Sequence, residues 1–161
     1  MAWTVIDSPI GELSVASAGG SVCGLTFGAV AEWGPAGSDP VLAAAVEELG
    51  HYFAGSLTEF SVPFAAPRGS EFERAVWREM TLIPYGETRT YGEVATAVGS
   101  RDPRAARAVG VACNRNPIAV IVPCHRIVGA GGKLVGFGGG LPKKAFLLEL
   151  EARVAVERDW T

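Results

Sequence analysis

The chain has 161 residues, of which 48% are hydrophobic, and its formal net charge is −3. This length can bury a hydrophobic core in one domain or in two small ones. No apolar run is long enough to cross a bilayer, and the first residues lack the basic and apolar segments of a secretory signal, so we expect a cytoplasmic protein without membrane contacts. The three cysteines include no CxxC pair, which argues against a disulfide framework and against a zinc ribbon.

The charges are distributed unevenly along the chain. All 14 basic residues lie at or after Arg68, so residues 1–67 have a net charge of −7 and residues 68–161 a net charge of +4. Residues 100–133 contain six basic residues and only one acidic residue, Asp102. Such a segment attracts phosphate groups, although a solvated basic surface explains it equally well. The change in charge predicts two domains, residues 1–67 and residues 68–161.

The first domain is predicted to contain antiparallel strands and one helix. Three short apolar segments separated by glycine turns, WTVI, LSVAS and VCGLTF, are typical of strands. Asp39 as N-cap and Pro40 in the first turn predict the start of an amphipathic helix, which carries an apolar face from Val41 to Phe53. The segment FSVPFA predicts one further short strand, placed at a sheet edge by its proline.

The second domain is predicted to be mostly helical. Ser70 with Glu73 and Thr90 with Glu93 form two capping boxes, and each predicts the start of a helix. Gly99 is expected to end the second of these helices.

A helix rich in alanine and arginine is predicted next, with Asp102 as N-cap and Pro103 at its first position. Together with the preceding short helix it forms a helix-turn-helix pattern, whose second helix usually enters a DNA groove. Apart from its arginines, the helix carries small side chains at Ala105, Ala106, Ala108 and Gly110. Close approach to DNA and packing against another helix explain these small residues equally well.

An apolar strand, IAVIV, is predicted to lead to Pro123, Cys124 and His125. A thiol beside an imidazole can act as a nucleophile, because the imidazole can accept the thiol proton. Ordinary burial is the more common explanation of a single Cys-His pair. Successive residues of a strand also point to opposite sides, so these two side chains would not interact directly unless the backbone turns there.

The last helix is predicted to begin at Pro142 and to carry Glu151.

Three segments resemble the O6-alkylguanine-DNA alkyltransferase family: RTYGEVATAVG, DPRAARAVGVACNRNPIAVIVPCHRIVG and GFGGGLPKKAFLLELE. They span roughly the last half of the chain, whereas residues 1–67 match the family only loosely. PCHR preceded by AARAVG and NP, and followed by the pattern GL..K..LL..E, is a highly specific combination. The resemblance implies an α+β fold, with a ribonuclease-H-like N-terminal domain and a helix-turn-helix, winged-helix-like C-terminal domain.

The resemblance also implies a reaction and its catalytic residues. Cys124 would accept the alkyl group of O6-alkylguanine, and of O4-alkylthymine if that lesion is also a substrate, in a single irreversible turnover. Glu151 would orient His125, which would draw the proton from Cys124 through a bound water. Tyr91 would hydrogen-bond the guanine at N3 and help to neutralise the leaving base. Asn116 would link the recognition helix to the active-site segment.

Arg107 matches the arginine finger of the family, which fills the space left by a flipped base. Ala105 and Ala106 would let the helix enter the minor groove, where sequence information is low. For Arg107, a phosphate contact is the alternative interpretation. Three further arginines are predicted to bind DNA: Arg104, Arg115 and Arg126.

The predicted substrate pocket consists of Tyr91, Ile127, Phe137 and Gly138. Ile127 and Cys124 match positions whose carbonyl groups receive the exocyclic amine of guanine. Gly138 occupies the position at which some relatives have a serine facing O6, so a contact there would have to come from backbone N–H groups. The size of the alkyl group that the pocket accepts is therefore left open by the sequence.

Two other functions remain open from the residues alone. A cysteine hydrolase using Cys124 and His125 would need an oxyanion hole and an acyl substrate, and it would turn over repeatedly. A non-catalytic DNA-damage-binding module would need no nucleophile. We expect a monomer that binds double-stranded DNA and needs no cofactor. We also expect no metal, because Cys23 and His51 alone cannot form the zinc site of some relatives.

Overall fold

The computed structural model describes residues 1–30 and 33–160, which form two compact units. The first unit comprises Met1–Pro67 together with Pro117–Ile121, and the second comprises Arg68–Asn116 and the chain from Val122 onward. The predicted division at residue 67 placed Pro117–Ile121 in the second domain, whereas the structure places this segment in the first unit. Within the described ranges, no helix combines the length and the apolar composition needed to cross a membrane.

The first unit is built on a three-stranded antiparallel sheet and one helix. Strands β1 (Ala2–Ile6), β2 (Leu13–Ala18) and β3 (Ser21–Phe27) pair in the order β1-β2-β3. Helix α1 (Pro40–Phe53) starts as predicted, because the Asp39 carboxylate accepts a hydrogen bond of 2.7 Å from Leu42 N. The helix buries its apolar face against β2, and the core contains Leu13, Val15, Leu42, Ala45, Leu49 and Tyr52.

The prediction of a strand over IAVIV is wrong. Ile118 forms a single parallel bridge with Leu25, and the following residues turn. Val120 has a φ angle of 70°, in the left-handed region that a β-branched residue rarely adopts, and this conformation interrupts an extended chain. The apolar character of the segment reflects burial in the first unit, since Ile118 and Val120 are 1% and 2% exposed.

The prediction of a strand over FSVPFA is also wrong. Phe64 forms one parallel bridge with Val22, through hydrogen bonds from Val22 N to Pro63 O and from Ala65 N to Val22 O. Pro63 has no N–H to donate, so a longer ladder cannot form at this position.

The second unit is mostly helical, as predicted. It contains α2 (Glu71–Thr81), α3 (Tyr91–Ala97), α4 (Ala105–Asn114), the 3-10 helix Cys124–Arg126 and α5 (Leu141–Asp159). Two short strands, β4 (Arg89–Thr90) and β5 (Ile127–Val128), pair in parallel. Both predicted capping boxes are present, at Ser70 with Glu73 and at Thr90 with Glu93.

Helix α4 begins later than predicted. Asp102 Oδ1 accepts a hydrogen bond of 2.8 Å from Arg104 N, and Asp102 O accepts one from Ala105 N. Asp102 therefore closes a turn before the helix, and Arg104, which makes no side-chain cap, occupies the N-cap position. Helix α3 packs against α4, which gives the predicted helix-turn-helix arrangement.

Candidate active site

Cys124 lies at the first position of the 3-10 helix, directly after Pro123. Its side chain is buried, with 7% exposed, and its backbone N donates to Val122 O at 2.9 Å. A 3-10 helix has three residues per turn, so successive side chains differ in direction by about 120° rather than by the half-turn of a strand. The backbone thus turns at Cys124 and His125. Without such a turn, the two side chains would point to opposite sides and could not interact directly.

Burial raises the pKa of the Cys124 thiol. A hydrogen bond with the Asn116 side chain and the positive charge of Lys144 act in the opposite direction. Asn116 Nδ2 also donates to Val122 O at 2.8 Å, so this side chain connects the end of α4 to the segment before Cys124, in agreement with the expected link. A thiol whose pKa is raised by burial needs a base to become a nucleophile.

His125 and Glu151 form a buried pair, with 0% and 1% exposed. His125 Nε2 lies 2.7 Å from Glu151 Oε2. Because a carboxylate can only accept, Nε2 carries the proton and donates it. Among the described residues, the other ring nitrogen, Nδ1, is buried without a hydrogen-bond partner. The structure therefore joins the predicted base and its orienting acid.

Arg126 completes this cluster, and its prediction as a DNA-binding residue is wrong. Its side chain is buried, with Nε 2.8 Å from Glu151 Oε1 and Nη2 3.1 Å from Glu151 Oε2. Nη1 donates to Ile83 O at 2.8 Å. The guanidinium thus directs its donors into the protein rather than toward a phosphate. Nothing in the sequence indicated that Arg126 pairs with Glu151, because the two residues lie 25 positions apart.

The ion pair sets the protonation of the cluster. Although burial raises the pKa of Glu151, hydrogen bonds from His125 and Arg126 lower it to about 2, so the carboxylate is ionised. Burial lowers the pKa of His125, while Glu151 raises it. Because Arg126 already neutralises the Glu151 charge, burial prevails and His125 is neutral near pH 7. A neutral imidazole with its proton on Nε2 presents the Nδ1 lone pair as a base.

Tyr91 is the first residue of α3, positioned by the Thr90 cap. Its hydroxyl donates to Val135 O at 3.0 Å and approaches Gly136 O at 3.5 Å. Burial raises the pKa of Tyr91 to about 12, so the phenol keeps its proton and can act as a donor.

A cleft of about 430 Å³ lies between α4 and the segment that Tyr91 contacts. It is lined by Tyr91, Ala106, Arg107, Gly110, Val111, Asn114, Val135 and Gly136. Arg107 is exposed on α4, one turn before Val111. The structure therefore brings the predicted finger, two of the small residues of the helix (Ala106 and Gly110) and the predicted base-contacting tyrosine to one cavity.

Other predicted DNA-binding residues are placed differently. Ala105 is 5% exposed and packs into the second unit, so its side chain cannot contact DNA, and that prediction is wrong. Arg104 is exposed at the start of α4. Arg115 is exposed and lies 3.5 Å from the Glu73 carboxylate, an ion pair that a phosphate could replace.

The remaining predicted pocket residues do not line the 430 Å³ cleft. Ile127 is fully buried in β5, directly after the 3-10 helix. Phe137 is partly buried, and its ring centroid lies 5.9 Å from Lys144 Nζ. Gly138 is exposed, and a Cβ atom there would meet nothing within 4 Å. A larger side chain at Gly138 would therefore fit without strain.

Two family models match the chain. The 6-O-methylguanine DNA methyltransferase ribonuclease-like domain matches residues 1–66, and the 6-O-methylguanine DNA methyltransferase DNA binding domain matches residues 71–153. These matches confirm the predicted α+β fold, with a ribonuclease-like N-terminal part and a DNA-binding C-terminal part.

Curated relatives and solved structures agree with the models. The methylated-DNA--protein-cysteine methyltransferase of Mycolicibacterium paratuberculosis is 50% identical, over 94% of this chain and 92% of the relative. The protein of the same name from Mycobacterium tuberculosis H37Rv is 49% identical, over 92% and 91%. A crystal structure of Mycobacterium tuberculosis OGT in complex with DNA is 48% identical, covers 96% of this chain and 94% of that one, and has a TM-score of 0.86. This chain belongs to the 6-O-methylguanine DNA methyltransferase family.

Proposed function

We propose that the chain repairs O6-alkylguanine in double-stranded DNA by transferring the alkyl group irreversibly to Cys124. The observation that carries this proposal is the buried cluster of Cys124, His125 and Glu151, built on one 3-10 helix and one helix of the second unit. In the transfer, a bond forms between Cys124 Sγ and the alkyl carbon while the bond from that carbon to O6 breaks. The guanine leaves with the electron pair.

His125 is the base in this scheme. Glu151 fixes the Nε2 proton, so the Nδ1 lone pair is available, and a water between Nδ1 and Sγ would carry the proton from the thiol. An acid that orients a base, which in turn activates a thiol, is the arrangement of other cysteine nucleophiles. Because Arg126 balances Glu151, the imidazole starts neutral and can accept the proton.

Tyr91 donates a hydrogen bond to the leaving guanine and so helps to neutralise its negative charge. Its pKa of about 12 keeps the phenol protonated until the base becomes anionic. The hydroxyl bond to Val135 O must be exchanged for one to guanine N3 when the lesion binds. After this exchange, the Tyr91 hydroxyl donates to the base on which negative charge develops. Such a contact stabilises the transition state more than the ground state.

The lesion must leave the duplex before Cys124 can reach it, because O6 lies inside the base stack. Helix α4 presents Arg107 and Ala106 beside Tyr91 in the 430 Å³ cleft. We infer that α4 enters the minor groove, that Arg107 fills the space of the flipped base, and that Arg104 and Arg115 contact phosphates. A crystal structure of Mycobacterium tuberculosis OGT is described as a complex with DNA, which supports DNA binding by this chain.

The product is a thioether, which has no easy leaving group, so each molecule acts once. We also propose that the chain acts as a monomer. To test this, the protein is incubated with excess duplex DNA carrying labelled O6-methylguanine, and labels per protein are counted. We expect one label per molecule, after which repair stops. More than one repaired lesion per molecule would contradict the proposal and would favour a hydrolytic thiol, for which the family gives no support.

A further inference from the structure

The loop between α2 and β4 packs against the buried cluster that contains the proposed base. Ile83 O accepts a hydrogen bond of 2.8 Å from Arg126 Nη1, and the Tyr85 ring centroid lies 5.5 Å from Arg126 Cζ. Gly86 N donates to Glu151 Oε1 at 3.3 Å. The loop thus contacts both members of the Arg126–Glu151 ion pair, although the proposed mechanism gives it no role.

Donors reach both oxygens of the Glu151 carboxylate. Oε2 accepts from His125 Nε2 at 2.7 Å, and Oε1 accepts from Gly86 N. Arg126 donates to both oxygens through its side chain. A guanidinium can move together with the carboxylate that it binds, whereas a backbone N–H is fixed by the course of the chain. The contact with Gly86 therefore ties the carboxylate to the loop and helps to fix the direction in which Oε2 faces His125.

The structure leaves no room for a side chain at Gly86. Its φ angle is +80°, in the left-handed region that glycine adopts without strain. A Cβ atom there would lie 2.9 Å from Ala155 Cβ and 3.5 Å from Glu151 O. Because Ala155 follows Glu151 by one turn of α5, the backbone of Gly86 lies against the turn that carries the carboxylate. A larger residue would push the N–H away from Oε1.

We propose that Gly86 is a positioning residue for alkyl transfer, because its backbone N–H and its lack of a side chain hold the Glu151 carboxylate against His125. Gly86 acts through Glu151 and need not touch the DNA or the thiol. This inference deepens the proposed function and rests on it for the consequence in repair. Its consequence for His125 can be measured without DNA, since a carboxylate held against Nε2 keeps the ring proton on that nitrogen.

Gly86→Ala tests the proposal, and Gly99→Ala is its matched control. Gly99 lies in the same unit and has the same φ angle of +80°, but a Cβ atom there would meet nothing within 4 Å. The control therefore introduces the same backbone strain without a clash. A double variant, Gly86→Ala with Ala155→Gly, keeps the strain at Gly86 and removes the closest contact. Ala155→Gly alone measures the effect of a glycine within α5.

The first measurement is the tautomer of His125, which NMR of the ring nitrogens reports near pH 7. The chain has two histidines, so His51→Gln assigns the signals. We expect the proton on Nε2 alone in the parent, in Gly99→Ala, in Ala155→Gly and in the double variant. Gly86→Ala should give a mixture of the two tautomers. A single Nε2 tautomer in Gly86→Ala would overturn the proposal.

The double variant keeps the test decisive if Gly86→Ala does not fold. Relief of the contact with Ala155 should then restore both the fold and the parent tautomer. A double variant that also fails to fold, or that shows mixed tautomers, would overturn the proposal, because the clash with α5 would not be the cause.

The second measurement is the rate of methyl transfer from duplex DNA containing O6-methylguanine. A general base contributes roughly 100-fold to 10,000-fold, so a partial loss of its orientation should slow transfer by about tenfold or more in Gly86→Ala. Gly99→Ala and the double variant should stay close to the parent rate. Equal slowing in Gly86→Ala and Gly99→Ala would assign the loss to backbone strain and would contradict the positioning role.

The two measurements together separate this proposal from the proposed function. If the tautomers follow the expected pattern but the parent accepts no methyl group from DNA, the proposed function fails and the positioning of Glu151 by Gly86 stands. If the parent accepts the methyl group and Gly86→Ala keeps both the parent tautomer and the parent rate, the role of Gly86 alone fails.

Discussion

At the scale of single residues, Glu151 contacts both His125 and Arg126, and the two contacts have different functions. It holds the Nε2 proton of His125 and it neutralises Arg126, all within one buried cluster. Sequence comparison with the family implies only the first role. The second means that Glu151 stabilises the fold in addition to its proposed catalytic role.

Replacing Glu151 by glutamine should therefore reduce both transfer and stability. The substitution leaves Arg126 charged and buried, and breaking a buried pair from one side costs about 3–5 kcal/mol of unfolding free energy. Urea unfolding of Glu151→Gln, Arg126→Met and the double variant measures this. We expect the double variant to be more stable than Glu151→Gln, because no charge is left unpaired. Additive losses in the double variant would show that the two residues act independently.

Acid should also weaken the fold through Glu151. Its folded pKa of about 2 lies below its ordinary value of 4.5, so the stability from ionised Glu151 is present above pH 4.5 and is lost as the pH falls toward 2. Urea unfolding at pH 7 and at pH 3 should show a larger drop for the parent than for Glu151→Gln, which cannot titrate there. Equal drops in the two proteins would mean that other carboxylates cause the acid sensitivity.

At the scale of secondary structure, α4 separates two kinds of side chain. Val109, Ala112 and Ala105 are buried, whereas Arg107 and Val111 are exposed and line the cleft with Tyr91. The periodicity of the helix thus assigns one face to the core and the opposite face to a partner.

Arg107→Ala should reduce repair of duplex DNA much more than repair of single-stranded DNA. Unstacking a base costs on the order of a few kcal/mol, so a side chain that recovers half of it changes duplex repair by roughly tenfold or more. Arg104→Ala, which removes an equally charged exposed residue, is the matched control, and we expect it to reduce the salt slope of binding by about one without this preference. Equal losses on both substrates for Arg107→Ala would favour a phosphate contact instead.

Local signals in the sequence were sufficient for the helix starts. Asp39, Ser70 and Thr90 cap α1, α2 and α3 as predicted, because an N-cap depends on residues within one turn. Asp102 shows the limit of such signals, since the same side chain type closes a turn before α4 instead of capping it.

At the scale of the whole molecule, the missed features depend on contacts between distant residues. Arg126 pairs with Glu151, and Pro117–Ile121 belongs to the first unit although the chain on both sides of it lies in the second. An apolar run does not distinguish a strand from another buried segment. The family resemblance supplied Cys124 and His125, but the buried environment that makes His125 neutral could be read only from the fold.

The measurement that tests the central claim most directly is peptide mass mapping after reaction with duplex DNA containing O6-methylguanine. The chain has three cysteines, and burial raises the pKa of Cys113 to about 12, which keeps that thiol protonated near pH 7. We expect the Cys124 peptide to gain the mass of one methylene, the Cys23 and Cys113 peptides to stay unmodified, and Cys124→Ser to accept nothing while still binding DNA. Stable methylation of Cys113 or Cys23 in place of Cys124, or repair by Cys124→Ser at the parent level, would contradict the assignment of the acceptor.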